Sequence, residues 1–248
     1  TNRFSYKSKC VNNNIQYCEK YIKLPKLGMV KTKNKLIPQG RILNATISQE
    51  PNGHYYCSLC CTDVEFEQYP KTNKNVGIDL GICDFAILSN GIKIENPQFY
   101  EQSEKKLAKL QRELSRKQLK SNNWCKQKQK ITTLQRHIAN QRLDWLHQES
   151  RKIANEYDAV IVEDIDLRNM AQCLKLGKNV HDNGFGMFRI FLKYKLEEQG
   201  KQFIKIDKWF PSSKMCHCCG TIKEDLQLSD RWYVCDCGYE NDRDYNAA

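Results

Sequence analysis

The sequence predicts an α/β protein that carries a helical hairpin and a small zinc-binding module, and three observations predict it. Ala159-Val160-Ile161-Val162 is a continuous apolar run of the kind buried in a parallel sheet. Residues 104–152 repeat leucine and isoleucine at helical spacing. Two tight cysteine knuckles, Cys216-His217-Cys218-Cys219-Gly220 and Cys235-Asp236-Cys237-Gly238, stand near the carboxyl end.

Composition narrows the function classes. The 248 residues are 40% hydrophobic, enough for one large core or two modest ones and too much for a disordered chain. The apolar runs are short and broken by charge, so none suits a membrane span. No charged-then-apolar segment opens the chain, and a cytoplasmic protein without a membrane partner is expected. The net charge of +11 points to a polyanionic partner. Small-molecule metabolism fits poorly, because neither a nucleotide-binding glycine pattern nor a Ser/His/Asp set stands out.

Taken in chain order, Tyr21–Gly28 and Ile42–Ile47 suit strands. After the turn Pro51-Asn52-Gly53, the run Tyr55–Cys61 reads as another strand. Its Cys57 and Cys60 then face opposite sides, and Cys57 and Cys61 lie about 13 Å apart, so these read as packing cysteines and not as a metal site. Asn75–Gly81 opens a strand pair with Phe85–Leu88, followed by a turn at Asn90-Gly91. Next come the stripes Leu107, Leu110, Leu114, then Ile131, Leu134, Ile138, then Leu143, Leu146, Ile153, broken at Ser121-Asn122-Asn123. Residues 104–152 hold fourteen Lys/Arg and four Asp/Glu, nearly the whole positive excess. Lys105, Arg112, Arg116, Lys117, Lys120, Lys128, Arg136 and Arg142 form the displayed stripe, with few acids at i±4 to neutralise it. The reading is a phosphate-contacting surface, with a plainly solvated helical face as the alternative.

Thirteen cysteines, an odd number at irregular spacing, argue against a disulfide framework. The two knuckles, each closed by glycine, suit one tetrahedral zinc held by Cys216, Cys219, Cys235 and Cys237. The second knuckle is one residue short, and His217 and Cys218 are close enough to be alternative ligands. The segment from Thr221 to Arg231 has too few apolar residues to fold without a metal.

Three acidic sites complete the set. Asp79 lies inside an apolar run, Glu163 sits at the carboxyl end of a strand, and Asp242-Arg243-Asp244 follows the knuckles. Together they suit a divalent-cation site for phosphoryl transfer. Separately, Asp79 reads as a turn or cap, Glu163 and Asp164 as a solvated strand end, and Asp242 and Asp244 as a helix N-cap.

The assembled motifs resemble the TnpB/OrfB family of RNA-guided nucleases from bacterial and archaeal insertion sequences, relatives of the type V CRISPR effectors. The matching text is Gly77-Ile78-Asp79-Leu80-Gly81, His137–Arg142 with Asp144 and Leu146-His147, and Val160–Asp164. It continues through Phe210-Pro211-Ser212-Ser213-Lys214, the knuckles, and Asp242-Arg243-Asp244-Tyr245-Asn246-Ala247-Ala248. The resemblance implies an RNase H-like, RuvC-type core with Asp79, Glu163 and Asp244 as catalytic acids binding two Mg²⁺ ions. Asp244 is chosen over Asp242 because it precedes the Asn of the Asn-Ala-Ala ending by two residues. It also implies a partial β-barrel wedge domain over 1–70 and core segments at 71–103 and 157–210. The basic hairpin then covers 104–156, the zinc ribbon 211–241 and the last core segment 242–248.

Function follows as an expectation: an RNA-guided DNA endonuclease whose guide RNA pairs with target DNA, the basic hairpin gripping the A-form heteroduplex. Trp209, Phe210, Trp232 and Tyr233 are read as base-stacking residues or, alternatively, as the mini-core of the zinc module. Against the family pattern, the chain is expected to be a piece truncated at both ends, with a variable connection at Ala171–Asn183. The competing functions are a non-catalytic zinc-ribbon accessory that binds DNA, and a strand-transfer transposase on the same scaffold.

Overall fold

A computed structural model describes residues 4–33, 37–65, 69–163, 184–207, 210–227 and 230–248. Asp164, the Ala171–Asn183 connection and Trp209 lie outside the described residues. The chain is α/β with mixed sheets, and it divides into two units. One comprises Thr1–Glu67 with Leu107–Arg136, the other Gln68–Lys106 with His137–Ala248.

The first unit holds β1 (Phe4–Lys9), β2 (Gln16–Cys18), β3 (Tyr21–Leu24), β4 (Gly28–Lys31), β5 (Arg41–Gln49) and β6 (Tyr55–Thr62). They form two antiparallel three-stranded sheets, β1-β5-β6 and β2-β3-β4. In β3 the side chains alternate, Ile22 and Leu24 inward and Tyr21 and Lys23 outward, so one sheet face is buried. Ile15, Ile22, Leu24 and Ala45 make the core. Tyr21–Gly28 is two strands rather than one, because Lys26 takes a left-handed conformation (φ 66°) in the turn between them. The Pro51-Asn52-Gly53 turn closes the β5–β6 hairpin: the Gly53 N–H donates to the Glu50 carbonyl at 2.9 Å.

β6 is the strand expected around Cys57–Cys61, with Cys57 opposite Ile47 and Cys61 opposite Ile42. The packing role is corrected, however. Cys57 and Cys60 are exposed and only Cys61 is partly buried, because the β6 residue packed against the core is Leu59.

Two helices follow, α1 (Phe99–Ser115) and α2 (Asn122–Glu156). The break comes earlier than expected. Ser121 is the cap of α2, its Oγ accepting the Trp124 N–H at 3.1 Å, and Asn122 is already helical. The buried Gln127 ties the two helices together, donating to the Leu110 carbonyl at 3.1 Å and to Glu113 at 2.9 Å. Of the predicted stripe, Leu107, Ile131, Ile138, Leu146 and Ile153 are buried, whereas Leu143 is exposed.

The second unit is built on a five-stranded sheet of order β11-β10-β7-β8-β9. Its strands are β7 (Asn75–Asp79), β8 (Asp84–Leu88), β9 (Lys93–Glu95), β10 (Ala159–Glu163) and β11 (Gln202–Ile206). β10 runs parallel to both β7 and β11, β8 returns antiparallel to β7, and β9, antiparallel to β8, runs again in the direction of β7. Val76, Ile78, Val160 and Val162 point to one face, where Leu146, Ile153 and Ala154 of α2 and Phe185, Phe188, Leu192 and Leu196 of α3 (Phe185–Glu198) cover them. Phe85 centres this core, edge-on to Trp145 at 4.6 Å and to Phe188 at 5.0 Å. The opposite sheet face carries Gly77, Asp79, Ile161 and Glu163, by strand alternation.

A last pair, β12 (Trp232–Val234) and β13 (Glu240–Asp242), is antiparallel and leads into the short helix α4 (Arg243–Ala247). No helix of the described residues is long and apolar enough to cross a membrane.

Candidate active site and metal centre

The strand register assembles the acids. β7 and β10 are adjacent and parallel, with Val162 beside Ile78, so the next residue of each, Glu163 and Asp79, stands level at the carboxyl edge of the sheet. Adjacent strands in register point their side chains to the same face, here the one opposite the α2–α3 core. A cleft on that face is lined by Gly77, Asp79, Ile161, Glu163, Phe210, Ser212 and the chain end at Ala247 and Ala248. The end of the chain lies directly on β7: a Cβ at Gly77 would fall on the Ala248 carbonyl oxygen, so only glycine fits there.

α4 brings the third acid. Burial, then the charges of Asp244 and Glu163, push the Asp79 carboxyl up to about 7, with the Leu80 N–H and Arg243 opposing. Burial also raises Glu163 above the usual carboxylate range. Three acids from three elements therefore share one field. Arg243, between Asp242 and Asp244 in sequence, offsets part of it, its guanidinium 3.6 Å from Asp244 Oδ1.

Asp242 and Asp244 do different work. Asp242 is the N-cap of α4, its Oδ1 accepting the N–H groups of Asp244 at 2.9 Å and Tyr245 at 3.4 Å. Its Oδ2 lies 3.3 Å from Lys93 Nζ. Burial works against its charge, but the Asp244 N–H and Lys93 prevail and hold it below the usual carboxylate range. The cap alternative thus describes Asp242, and Asp244 is the acid that acts on Asp79.

The knuckles converge as a second centre. One sulfur from each of Cys216, Cys219, Cys235 and Cys237 lies within 4.8 Å of every other. Cys216 and Cys237 are 3.7 Å apart, Cys219 and Cys235 3.6 Å. Tetrahedral zinc with Zn–S bonds of about 2.3 Å needs sulfurs about 3.8 Å apart, so the quartet could hold a zinc ion with little rearrangement. Hydrogen bonding with the Thr221 side chain and backbone holds the Cys219 thiol down to about 6, whereas Cys237 is pushed up to about 12, the Tyr239 N–H being outweighed by burial and the neighbouring quartet thiols. The alternatives fall away. Cys218 is exposed outside the quartet, and His217 turns its ring toward Tyr239 at 5.9 Å. Gly220 and Gly238 both adopt positive φ, 74° and 88°, at the knuckle turns. Tyr233 is fully buried as the mini-core, while Trp232 and Phe210 are exposed.

The eight expected cations divide. Lys105, Arg112, Arg116, Lys120 and Lys128 are exposed, and Lys117 is half-buried. Arg136 departs from the displayed stripe: it pairs with the largely buried Glu50 at 3.6 Å and lies 5.5 Å from the Tyr56 ring centre. Arg142 is half-buried, its Cδ near the position a Cβ on Gly184 would take.

A family profile described as "Probable transposase", OrfB of the IS605 type, matches residues 58–174, and one described as "Cas12f1-like, TNB domain" matches residues 185–248. The chain belongs to the TnpB/OrfB family. A Streptomyces pristinaespiralis relative named as an RNA-guided DNA endonuclease is 38% identical over 213 residues, 86% of this chain and 53% of its own length. An Escherichia coli K12 relative named RNA-guided DNA endonuclease InsQ is 32% identical over 241 residues, 91% of this chain and 60% of its own. The chain thus spans somewhat more than half the length of these relatives. Among solved structures, Cas12f1 in its complex with sgRNA and target DNA shares the fold at a TM-score of 0.58 and 16% identity, over 84% of this chain and 44% of that one.

Sequence reading assigned no separate role to Arg243, Asn246 or Gly77. All three lie inside motifs that carry the resemblance, but nothing in a linear sequence says that Gly77 meets Ala248.

Proposed function

We propose that the protein is an RNA-guided DNA endonuclease of a transposable element. Asp79, Glu163 and Asp244 would form its RuvC-type catalytic site on an RNase H-like sheet. The observation that carries this is that Asp79 and Glu163 stand level on β7 and β10 at one carboxyl sheet edge, beside a small cleft, with Asp244 of α4 near enough to act on Asp79. Supporting it are the strand order, with β8 antiparallel to the other four strands of the sheet, and the family's named endonucleases.

The donor set fits a hard divalent cation: every ligand is a carboxylate oxygen, and the mutual repulsion that raises Asp79 is relieved by positive charge. Mg²⁺ held by Asp79, Glu163 and Asp244 would supply Lewis acidity at the scissile phosphate and a more acidic water. The chain's own part is to aim the carboxylates through the β7–β10 register and the Asp242 cap, along the small cleft that Asp79 and Glu163 line. Hydrolysis adds water across the P–O3′ bond, leaving a 5′-phosphate and a 3′-hydroxyl. Zinc in the cysteine quartet is structural, since four thiolates leave no open position for substrate.

The domain reading follows the same proposal. Residues 1–70 act as the wedge, 71–103, 157–210 and 242–248 as the core, 104–156 as the basic hairpin and 211–241 as the zinc ribbon. The exposed cations Lys105, Arg112, Arg116, Lys120 and Lys128, with the half-buried Lys117, contact the phosphate backbone of guide RNA and target DNA.

Plasmid cleavage by the protein with its copurified RNA tests this. Asp79→Ala should abolish Mg²⁺-dependent cleavage, a loss of about 10³-fold or more, while RNA and DNA binding persist. Retained Mg²⁺-dependent cleavage by that variant sinks the catalytic assignment, and joined rather than broken products favour strand transfer.

A further inference from the structure

The acid cluster and the cysteine quartet meet at one side chain. Asn246 is buried, 6% exposed, on α4 two residues after Asp244. Its Nδ2 donates to the Met215 carbonyl at 2.7 Å, and its Oδ1 accepts the His217 N–H at 2.9 Å. Those two backbone groups flank Cys216, the most buried of the four quartet thiols at 2% exposure. The amide orientation is dictated by its neighbours, because a carbonyl demands a donor and an N–H demands an acceptor. Asn246 is therefore a two-point clamp from the helix that carries Asp244 onto the backbone of the first knuckle.

α4 also rests on the sheet, with Ala248 against Gly77 of β7 and Tyr245 beside Gly91. Five residues are too few to stabilise a helix alone. Its start is fixed by the Asp242 cap and by the Arg243 N–H, which donates to the Arg231 carbonyl at 3.0 Å. Asp242 in turn pairs with Trp232 on β12, in the hairpin that carries Cys235 and Cys237. Both ends of α4 thus lean on the cysteine module, one through each knuckle.

We propose that Asn246 is a positioning residue that couples metal loading of the cysteine quartet to the placement of Asp244 in the acid cluster. Loss of zinc then loosens the divalent-cation site without touching any of its ligands. The inference rests on reading Asp79, Glu163 and Asp244 as that cation site.

The test measures Mn²⁺ affinity by electron paramagnetic resonance and zinc content by a colorimetric assay, on the whole chain. Asn246→Ala should keep one zinc per chain and bind Mn²⁺ about tenfold or more weakly, the usual scale for an outer-sphere partner of metal ligands. Wild-type protein stripped of zinc by a chelator, then freed of chelator by gel filtration, should weaken similarly. Stripping zinc from Asn246→Ala should add less than about threefold, because both changes cut the same link. Tyr233→Phe removes a hydrogen bond to the Lys214 carbonyl in the same module without touching α4, and should leave Mn²⁺ binding unchanged. Wild-type Mn²⁺ affinity in Asn246→Ala, loss of its zinc, fully additive effects, or an equal defect in Tyr233→Phe each overturn the proposal. Asp79→Asn separates the two levels. If it binds Mn²⁺ normally, the cation-site reading fails and the coupling falls with it. If it loses Mn²⁺ while Asn246→Ala does not, only the coupling fails.

Discussion

Asp79 carries the sharpest consequences at the scale of a residue. Its carboxyl titrates near 7 in the folded chain, well above its unfolded value. The folded state therefore holds the proton more tightly, so Asp79's own contribution to the stability of the metal-free protein is greatest at low pH. The protein loses that contribution as pH rises through about 7, a difference of about 2–4 kcal/mol. Thermal melting across pH 5–8 without divalent metal should show the decline, and Asp79→Asn should flatten it. Proton and cation compete for the same oxygens, so the apparent Mn²⁺ affinity should rise roughly tenfold per pH unit up to about 7. A pH-independent affinity would contradict the shared field. Gly77 makes a simpler demand. Gly77→Ala drives a methyl into the Ala248 carbonyl and should cost about 2–3 kcal/mol in denaturant unfolding, while weakening Mn²⁺ binding as α4 shifts.

Among the elements, α2 and α3 carry a buried cation. Lys195 is 2% exposed, its Nζ donating to the His147 carbonyl at 2.6 Å and Ser150 Oγ at 2.7 Å. Burial, then the charge of Arg151, lower its pKa to about 8, against a pull from Glu198. A lysine that protonates less readily when folded costs stability below about 8, and that cost fades as pH rises toward its unfolded value. Lys195→Met should stabilise the protein by about 1–2 kcal/mol at pH 7, a gain that shrinks by pH 10 in the same denaturant assay. The helical hairpin has its own measurable quantity. Replacing the exposed Arg112, Arg116, Lys120 and Lys128 with Gln should lower the salt dependence of nucleic-acid binding, by about 0.7–0.9 in log–log slope for each phosphate no longer neutralised. Arg136→Gln should chiefly lower stability, because its partner Glu50 is left largely buried without its cation.

On the scale of the whole molecule, two units share one chain, and the cysteine quartet lies in the one formed by Gln68–Lys106 with His137–Ala248. Removing zinc should speed amide exchange in residues 210–248 and leave the β5–β6 hairpin of the other unit unchanged. Periodicity and spacing suffice for what is local. The helical stripe of 104–152, the strand at Tyr21, the Pro51-Asn52-Gly53 turn and the two cysteine knuckles were all readable, because each depends on neighbours a few residues away. What they left open was long-range: which of Asp242 and Asp244 caps α4, whether His217 or Cys218 joins the quartet, and that Arg136 turns to Glu50. The exposure of Cys57 and Cys60 was also undecidable, since strand alternation does not say which stretch of a sheet face is covered. By itself, the sequence determined the element types, the two cysteine knuckles and the family. The meeting of Asp79, Glu163 and Asp244 was decided only by tertiary structure, because sheet register and a five-residue helix bring together residues more than eighty positions apart, and no local pattern encodes that distance.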